Sequence, residues 1–149
     1  MTDDRRIGRV GLAARAAAVL CSGIAAFQVA LAAGAPWGRI AYGGGQVQLS
    51  DVQRITSGAA VVLWTAAALA LLAYAGELAG GRYRDSRALR RVIWLVAALS
   101  GFGAVLNLAS PSMWERLIWV PVSLGTCALS VLVARSVGSV VMQGVQIRN

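Results

Sequence analysis

Few residues in this chain could do chemistry. It has six carboxylates, two cysteines and no histidine. Among the carboxylates Glu115 has the most suggestive surroundings, with Asn107 and Ser110 before it and Arg116 after it. A carboxylate beside an amide and a guanidinium could move a proton and stabilise developing charge. Acid–base work also needs a second acid or base, and the nearby loops offer only Asp51. The spacing has a structural explanation as well, because Ser112-x-x-Glu115 fits the capping box of a helix N-terminus.

A second group of charges sits elsewhere. Arg15, Glu77 and Arg135 each fall within about two turns of the end of an apolar run. A carboxylate next to hydrocarbon is costly without a partner, so Glu77 is expected to contact Arg15 or Arg135 as a neutral structural clamp. A proton or ion relay would need more acids than this one. On the same reasoning Glu77 is expected to matter more to stability than Glu115 does.

The polar residues near the other ends of the runs form the candidate ligand site. Gln28 and Asn107 are amides inside apolar segments and demand hydrogen-bond partners. Around them lie Trp37, Arg39, Tyr42, Arg54, Ser110, Glu115 and Arg116. One reading is a satisfied network between helices. The other is a small outward-facing pocket for a solute or lipid headgroup, with Arg39 or Arg54 meeting negative charge. Cys21 and Cys127 are not in a C-x-x-C pair and read as packing residues. No metal site, cofactor or catalytic set is expected from such a ligand-poor chain.

The elements that must position these residues are membrane spans. Of the 149 residues 58% are hydrophobic and 13% charged, against roughly 25% charged in soluble domains. The apolar residues lie in four long runs, at about 11–33, 56–78, 92–109 and 117–136. The fold class is therefore an all-α membrane protein, 1–149 as a single domain, with four transmembrane helices in an antiparallel bundle. All fourteen basic residues are arginine. They crowd the N-terminus, the connection between the second and third spans and the C-terminal flank, which places both termini in the cytoplasm. That makes the chain a multi-pass protein of the inner (plasma) membrane. The net charge of +8 is then an orientation signal rather than a nucleic-acid footprint.

The connections carry their own signals. The segment 34–53 alternates apolar residues around Gly43-Gly44-Gly45, which permits a small hairpin or an irregular lid. Ser50-x-x-Gln53 fits a capping box for the second span. In the first span Ala14, Ala18, Ser22, Ala26, Ala30 and Gly34 recur every four residues as a stripe for close helix contact. Pro121 leaves the Leu117 carbonyl without its helical donor and favours a kink that frees it toward the pocket. The tail after Val137 permits a helical extension.

The segments Gly34-Ala-Pro-Trp-Gly38, Tyr42-Gly-Gly44 and Asn107-x-x-Ser-Pro-Ser-x-x-Glu-Arg116, followed by Trp119 and Pro121, resemble a group of small four-span membrane proteins of high-GC bacteria whose function is unknown. The resemblance implies four spans and marks the outer loops as distinctive. It implies no activity. The expected role is a non-enzymatic membrane protein that binds or passes a small solute or lipid headgroup. An accessory subunit, seated on a partner or a second copy, and an intramembrane enzyme using Glu115 remain as alternatives. The lipid bilayer is the expected partner, and nucleic acid is not.

Overall fold

A computed structural model describes residues 2–84 and 86–136. Four helices make up nearly all of it: α1 (Thr2–Ala32), α2 (Asp51–Ala75), α3 (Arg87–Ala109) and α4 (Met113–Ser136). The segments Gly8–Ala32, Asp51–Ala75, Arg87–Ala109 and Met113–Arg135 are each long and apolar enough to cross a membrane. The chain is thus an all-helical, multi-pass membrane protein. The tail after Val137 lies outside the described residues. Among the described residues the segment between α1 and α2 contains no strand. It forms two short 3-10 turns, Gly38–Ile40 and Tyr42–Gly44, so it is an irregular lid rather than a hairpin.

The helices form a four-helix bundle in which α1 packs along α2 and α3 along α4. α1 also meets α4, and of the adjacent pairs α2 and α3 touch least. The interior is built from small residues. Ala14, Ala17, Ala18, Ala67, Ala68, Ala97 and Ala134 are buried, joined by Leu71, Tyr74, Ile93 and Val133. Large apolar side chains such as Leu12, Val62, Leu95, Phe102 and Leu124 point outward. That inversion suits a bilayer, where lipid solvates the large residues and close backbone approach holds the helices together.

The four-residue stripe on α1 does not stay inside. Ala14 and Ala18 are buried, whereas Ser22 and Ala26 are exposed. A strict repeat of four drifts about 40° per step around a helix of 3.6 residues per turn, so the stripe rotates out of the interface. The contact line follows Ala14, Ala17, Cys21, Ile24 and Leu31 instead.

Helix ends follow local chemistry. Both arms of the Ser50 capping box are present: the Gln53 amide donates to Ser50 Oγ at 3.4 Å, and the Ser50 amide donates to Gln53 Oε1 at 2.9 Å. At its other end α2 stops at Ala75, short of the expected Leu78, because Gly76 turns left-handed (φ 84°). The Gly76 and Glu77 amides then close back onto the Ala73 and Leu72 carbonyls at 3.1 and 2.9 Å, as in a Schellman motif. Helix α4 runs unbroken through Pro121. Leu117 and Pro121 are both exposed, so the carbonyl released by the proline lies on the outer face of α4 and not toward the interior as expected.

A side chain at Gly76 would need the left-handed conformation and would place its Cβ 2.5 Å from Arg84 Nε. Gly76→Ala is expected to lower stability by about 1–3 kcal/mol. Gly45→Ala, where the added Cβ meets nothing within 4 Å, should be near neutral. Denaturant titration of both variants in mixed micelles measures the difference, and equal stabilities would contradict this account of the turn.

Candidate functional site

At one end of the bundle the segment 33–50 folds down onto the turn between α3 and α4. Glu115 fastens it there. Only 5% exposed, its carboxylate accepts the Gly43 amide at Oε1 (2.7 Å) and the Ser110 hydroxyl at Oε2. Ser112 Oγ takes the Glu115 amide at 3.4 Å and donates to the Arg39 carbonyl at 3.0 Å. The Ser112 amide donates to Ser110 Oγ at 3.1 Å rather than to Glu115. The expected capping box is therefore half formed, because the first loop and Ser110 take the carboxylate that would have closed it. Gly44 makes the approach feasible, since a Cβ there would lie 2.8 Å from Ser112 Cβ.

Aromatic residues anchor the same lid. Trp119 Nε1 donates to the Ile40 carbonyl at 2.7 Å. Tyr42 reaches α2, where its hydroxyl donates to the Gln53 carbonyl at 3.1 Å and lies 2.9 Å from Ser57 Oγ. Phe27 of α1 stacks on Trp37 at 5.9 Å and meets Trp119 at 4.5 Å with the rings tilted by 52°. Such tilted and offset arrangements are the favoured aromatic geometries. One phenyl ring thus joins the lid, α1 and α4.

Beneath the lid lies a cavity of about 290 Å³. α1 contributes Ile24, Phe27 and Gln28 to its wall, and α2 contributes Thr56, Ala60 and Trp64. α3 contributes Leu99, Ser100, Gly103 and Asn107, while α4 contributes Glu115, Trp119 and Ser123 under Ala41 and Tyr42. Two polar atoms in this wall, Gln28 Oε1 and Ser100 Oγ, are buried and have no hydrogen-bond partner among the described residues.

Of the residues singled out from sequence, Gln28, Tyr42, Asn107 and Glu115 come together on this wall. Trp37 backs it through Phe27, and Ser110 reaches it through Glu115. The arginines stand apart. Arg54 donates to the Ala32 carbonyl at 3.1 Å and so caps α1, while Arg39 and Arg116 are exposed. None of the three lines the cavity, so the expectation that Arg39 or Arg54 meets negative charge inside it does not match the structure.

The other end of the bundle holds the second group. Arg15 donates to Glu77 Oε2 through Nε at 3.0 Å and through Nη2 at 2.7 Å. Glu77 Oε1 rests over Gly11, where a Cβ would lie only 2.8 Å away. Arg135 is exposed and does not pair with Glu77. Helix α4 is tied in from α3 instead, by Arg90 Nε donating to the Ala134 carbonyl at 3.1 Å. The clamp therefore joins α1 to the turn after α2 and leaves Arg135 out.

Comparison with protein-family models, with curated proteins and with solved structures finds no match for this chain.

Sequence reasoning passed over Phe27, Ser57, Trp64, Ser100, Trp119 and Ser123 as wall or lid residues. Their spacing held the signal. Ile24 and Gln28, then Thr56, Ala60 and Trp64, then Glu115, Trp119 and Ser123 recur at four residues, while Ser100, Gly103 and Asn107 follow the three-then-four step. Each set marks one face of its helix.

Burial also reverses the expected order of the two glutamates. The Arg15–Glu77 pair has side chains 65% and 26% exposed, and exposed pairs are worth about 0–1 kcal/mol. Glu115→Ala would leave the half-buried Gly43 and Ser110 donors unanswered, at about 1.5–3 kcal/mol. Glu115→Ala is expected to unfold at lower denaturant than Glu77→Ala and to expose the first loop to protease. A Glu77→Ala protein that proved the less stable would contradict this order.

Proposed function

We propose that this protein is a non-enzymatic membrane protein that binds a small molecule in the cavity beneath its first loop. The observation that carries the reading is the pair of buried, unpartnered atoms in the wall, Gln28 Oε1 and Ser100 Oγ. Buried polar groups in proteins are almost always satisfied, and an orphan costs about 1–3 kcal/mol. A ligand that donates to Gln28 would remove that cost. The aromatic and apolar wall with a few convergent polar groups is the usual make-up of a ligand site. Acid–base turnover by Glu115 fits less well, because both its oxygens already accept donors from the protein.

The orientation belongs to the same proposal. Arg82, Arg84, Arg87, Arg90 and Arg91 are all exposed at the end opposite the cavity. Positive-inside then puts that end and both termini in the cytoplasm, the helices antiparallel and the cavity facing outward, in the plasma (inner) membrane. The likeness to small four-span proteins of high-GC bacteria is part of this reading too. A second reading, a subunit contact, is favoured by one feature: Ser22, Gly23 and Ala26 are exposed on α1, where a neighbouring helix could come close.

Two measurements test these statements. With Cys21 and Cys127 replaced, Gly45→Cys should react with an impermeant thiol reagent on intact cells and Tyr83→Cys should not. The opposite pattern would invert the orientation. The Asn107 amide lines the cavity and makes no hydrogen bond within the described residues. Asn107→Ala should therefore weaken retention of a ligand detected by native mass spectrometry while leaving unfolding unchanged. Lost stability with unchanged retention would make the amide a packing element and remove the binding role.

A further inference from the structure

We infer that the cavity takes the head of a neutral, hydroxyl-bearing membrane amphiphile that enters sideways from the bilayer, between α2 and α3. This rests on the binding role proposed for the cavity and names its ligand class and route. Four observations converge on it.

The first is closure at the top. The lid over the cavity is held by Tyr42 to Gln53 and Ser57, by Trp119 to Ile40 and by Glu115 to Gly43. Entry from water would require breaking several of these bonds together. The second is the side seam. α2 and α3 make the sparsest contact of the neighbouring helices, and wall residues on both sides of it, Thr56 and Leu99, are exposed. Leu99 and Trp64 lie in the middle of their helices, so the seam faces hydrocarbon. A molecule arriving there comes from the lipid phase.

The third observation is size. About 290 Å³ is at the small end of the range that encloses a whole drug-sized ligand. A polar head with its first chain carbons fits, and the rest of the chain stays in the bilayer. The fourth is charge. No arginine lines the wall, and its one ionisable carboxylate, Glu115, disfavours an anionic head. What the wall lacks is a donor to Gln28 Oε1 and a partner for the Ser100 hydroxyl. A hydroxyl on the head supplies the donor, and a second head oxygen accepts from Ser100. A monoacylglycerol has this chemistry without an ionic group; an ionised fatty acid and a phospholipid each bring an anionic group that the wall gives no cation to meet.

The chain's own fluorescence provides the assay, because Trp64 and Trp119 line the cavity and the other tryptophans, Trp37, Trp94 and Trp114, do not. The variant Trp94→Phe, Trp114→Phe keeps Trp37, whose stack on Phe27 holds the lid, and leaves it with the cavity pair to report. In detergent micelles this protein is titrated with a dibrominated monoacylglycerol, with the dibrominated fatty acid of the same chain and with a short water-soluble brominated diol. Saturable quenching by the monoacylglycerol is expected. Affinity should fall about tenfold when Gln28→Leu is added, the loss of one hydrogen bond to a buried acceptor. Gly103→Leu, which fills the wall, should abolish quenching, and circular dichroism and unfolding show that both variants fold. Equal or tighter binding of the fatty acid overturns the neutral class. Saturable quenching by the short diol alone overturns the lipid route and leaves the cavity as a binding site. Saturable quenching by none of the three overturns both the inference and the binding role beneath it.

Discussion

The position of the first loop depends on one carboxylate buried without a cation. Glu115 sits at the first turn of α4 and accepts a backbone amide from Gly43 and a hydroxyl from Ser110. A buried carboxylate is tolerable only where hydrogen bonds replace its hydration, and both oxygens find them. The helix N-terminus adds favourable field from the unpaired amides of α4. The consequence reaches beyond the bond itself. Holding Gly43 draws Ala41 and Tyr42 over the space between the helices, and Tyr42 then reaches across to Ser57 on α2. Without that attachment the lid would keep the Phe27–Trp37 stack, the Trp119 bond to Ile40, the Ser112 bond to the Arg39 carbonyl and the Tyr42 bonds to α2. Gly44 is what lets the backbone come so near, since a Cβ there would lie 2.8 Å from Ser112 Cβ.

The bilayer imposes a different constraint on the four helices. Lipid offers no gain for burying leucine against leucine, so affinity between helices comes from close packing. The alanines of α1 and α2 let their backbones approach, and that pair packs most closely with the α3–α4 pair as its counterpart. Trp64 of α2 and Leu99 and Asn107 of α3 line the cavity, and α2 and α3 are the adjacent pair with the sparsest contact. Close packing is lost along that line, and the cavity occupies the space.

Much of this was readable from the chain before any coordinates. Four runs of sufficient length fixed the number of spans, and the Ser50–Gln53 box marked where α2 begins. Local signals of that kind depend on neighbours in sequence. The failures were contacts between distant segments. Glu115 fits a capping box by spacing, and only the arrival of Gly43, far away in sequence, diverts its carboxylate. Arg54 looked like an anion receptor because it is charged and near the site; the open carbonyls at the end of α1 claim it instead. Arg135 has the right depth to join Glu77 but lies on an exposed face of α4. Depth along a helix can be counted from the sequence, whereas rotation about the helix axis depends on packing. The four-residue stripe on α1 failed for the same reason.

The hydroxyls of the bundle are satisfied in different ways. Thr126 donates to the Val122 carbonyl at 2.9 Å and Thr56 to the Val52 carbonyl at 2.8 Å, each using the turn before it. Ser57 shares its hydrogen bond with Tyr42. These groups need nothing from outside. Ser100 Oγ and Gln28 Oε1 face the same space with no partner among the described residues, and Ser130 Oγ, outside the wall, is a third such atom. If packing alone set the identity of these positions, alanine and leucine would serve and would spare about 1–3 kcal/mol at each. On the binding role proposed above, the two such atoms that share the cavity, Gln28 Oε1 and Ser100 Oγ, take a partner that comes and goes. A molecule from water would have to pass a lid held from three sides. A molecule already dissolved in the bilayer meets only the loosest seam of the bundle, and the unpaired atoms lie behind it.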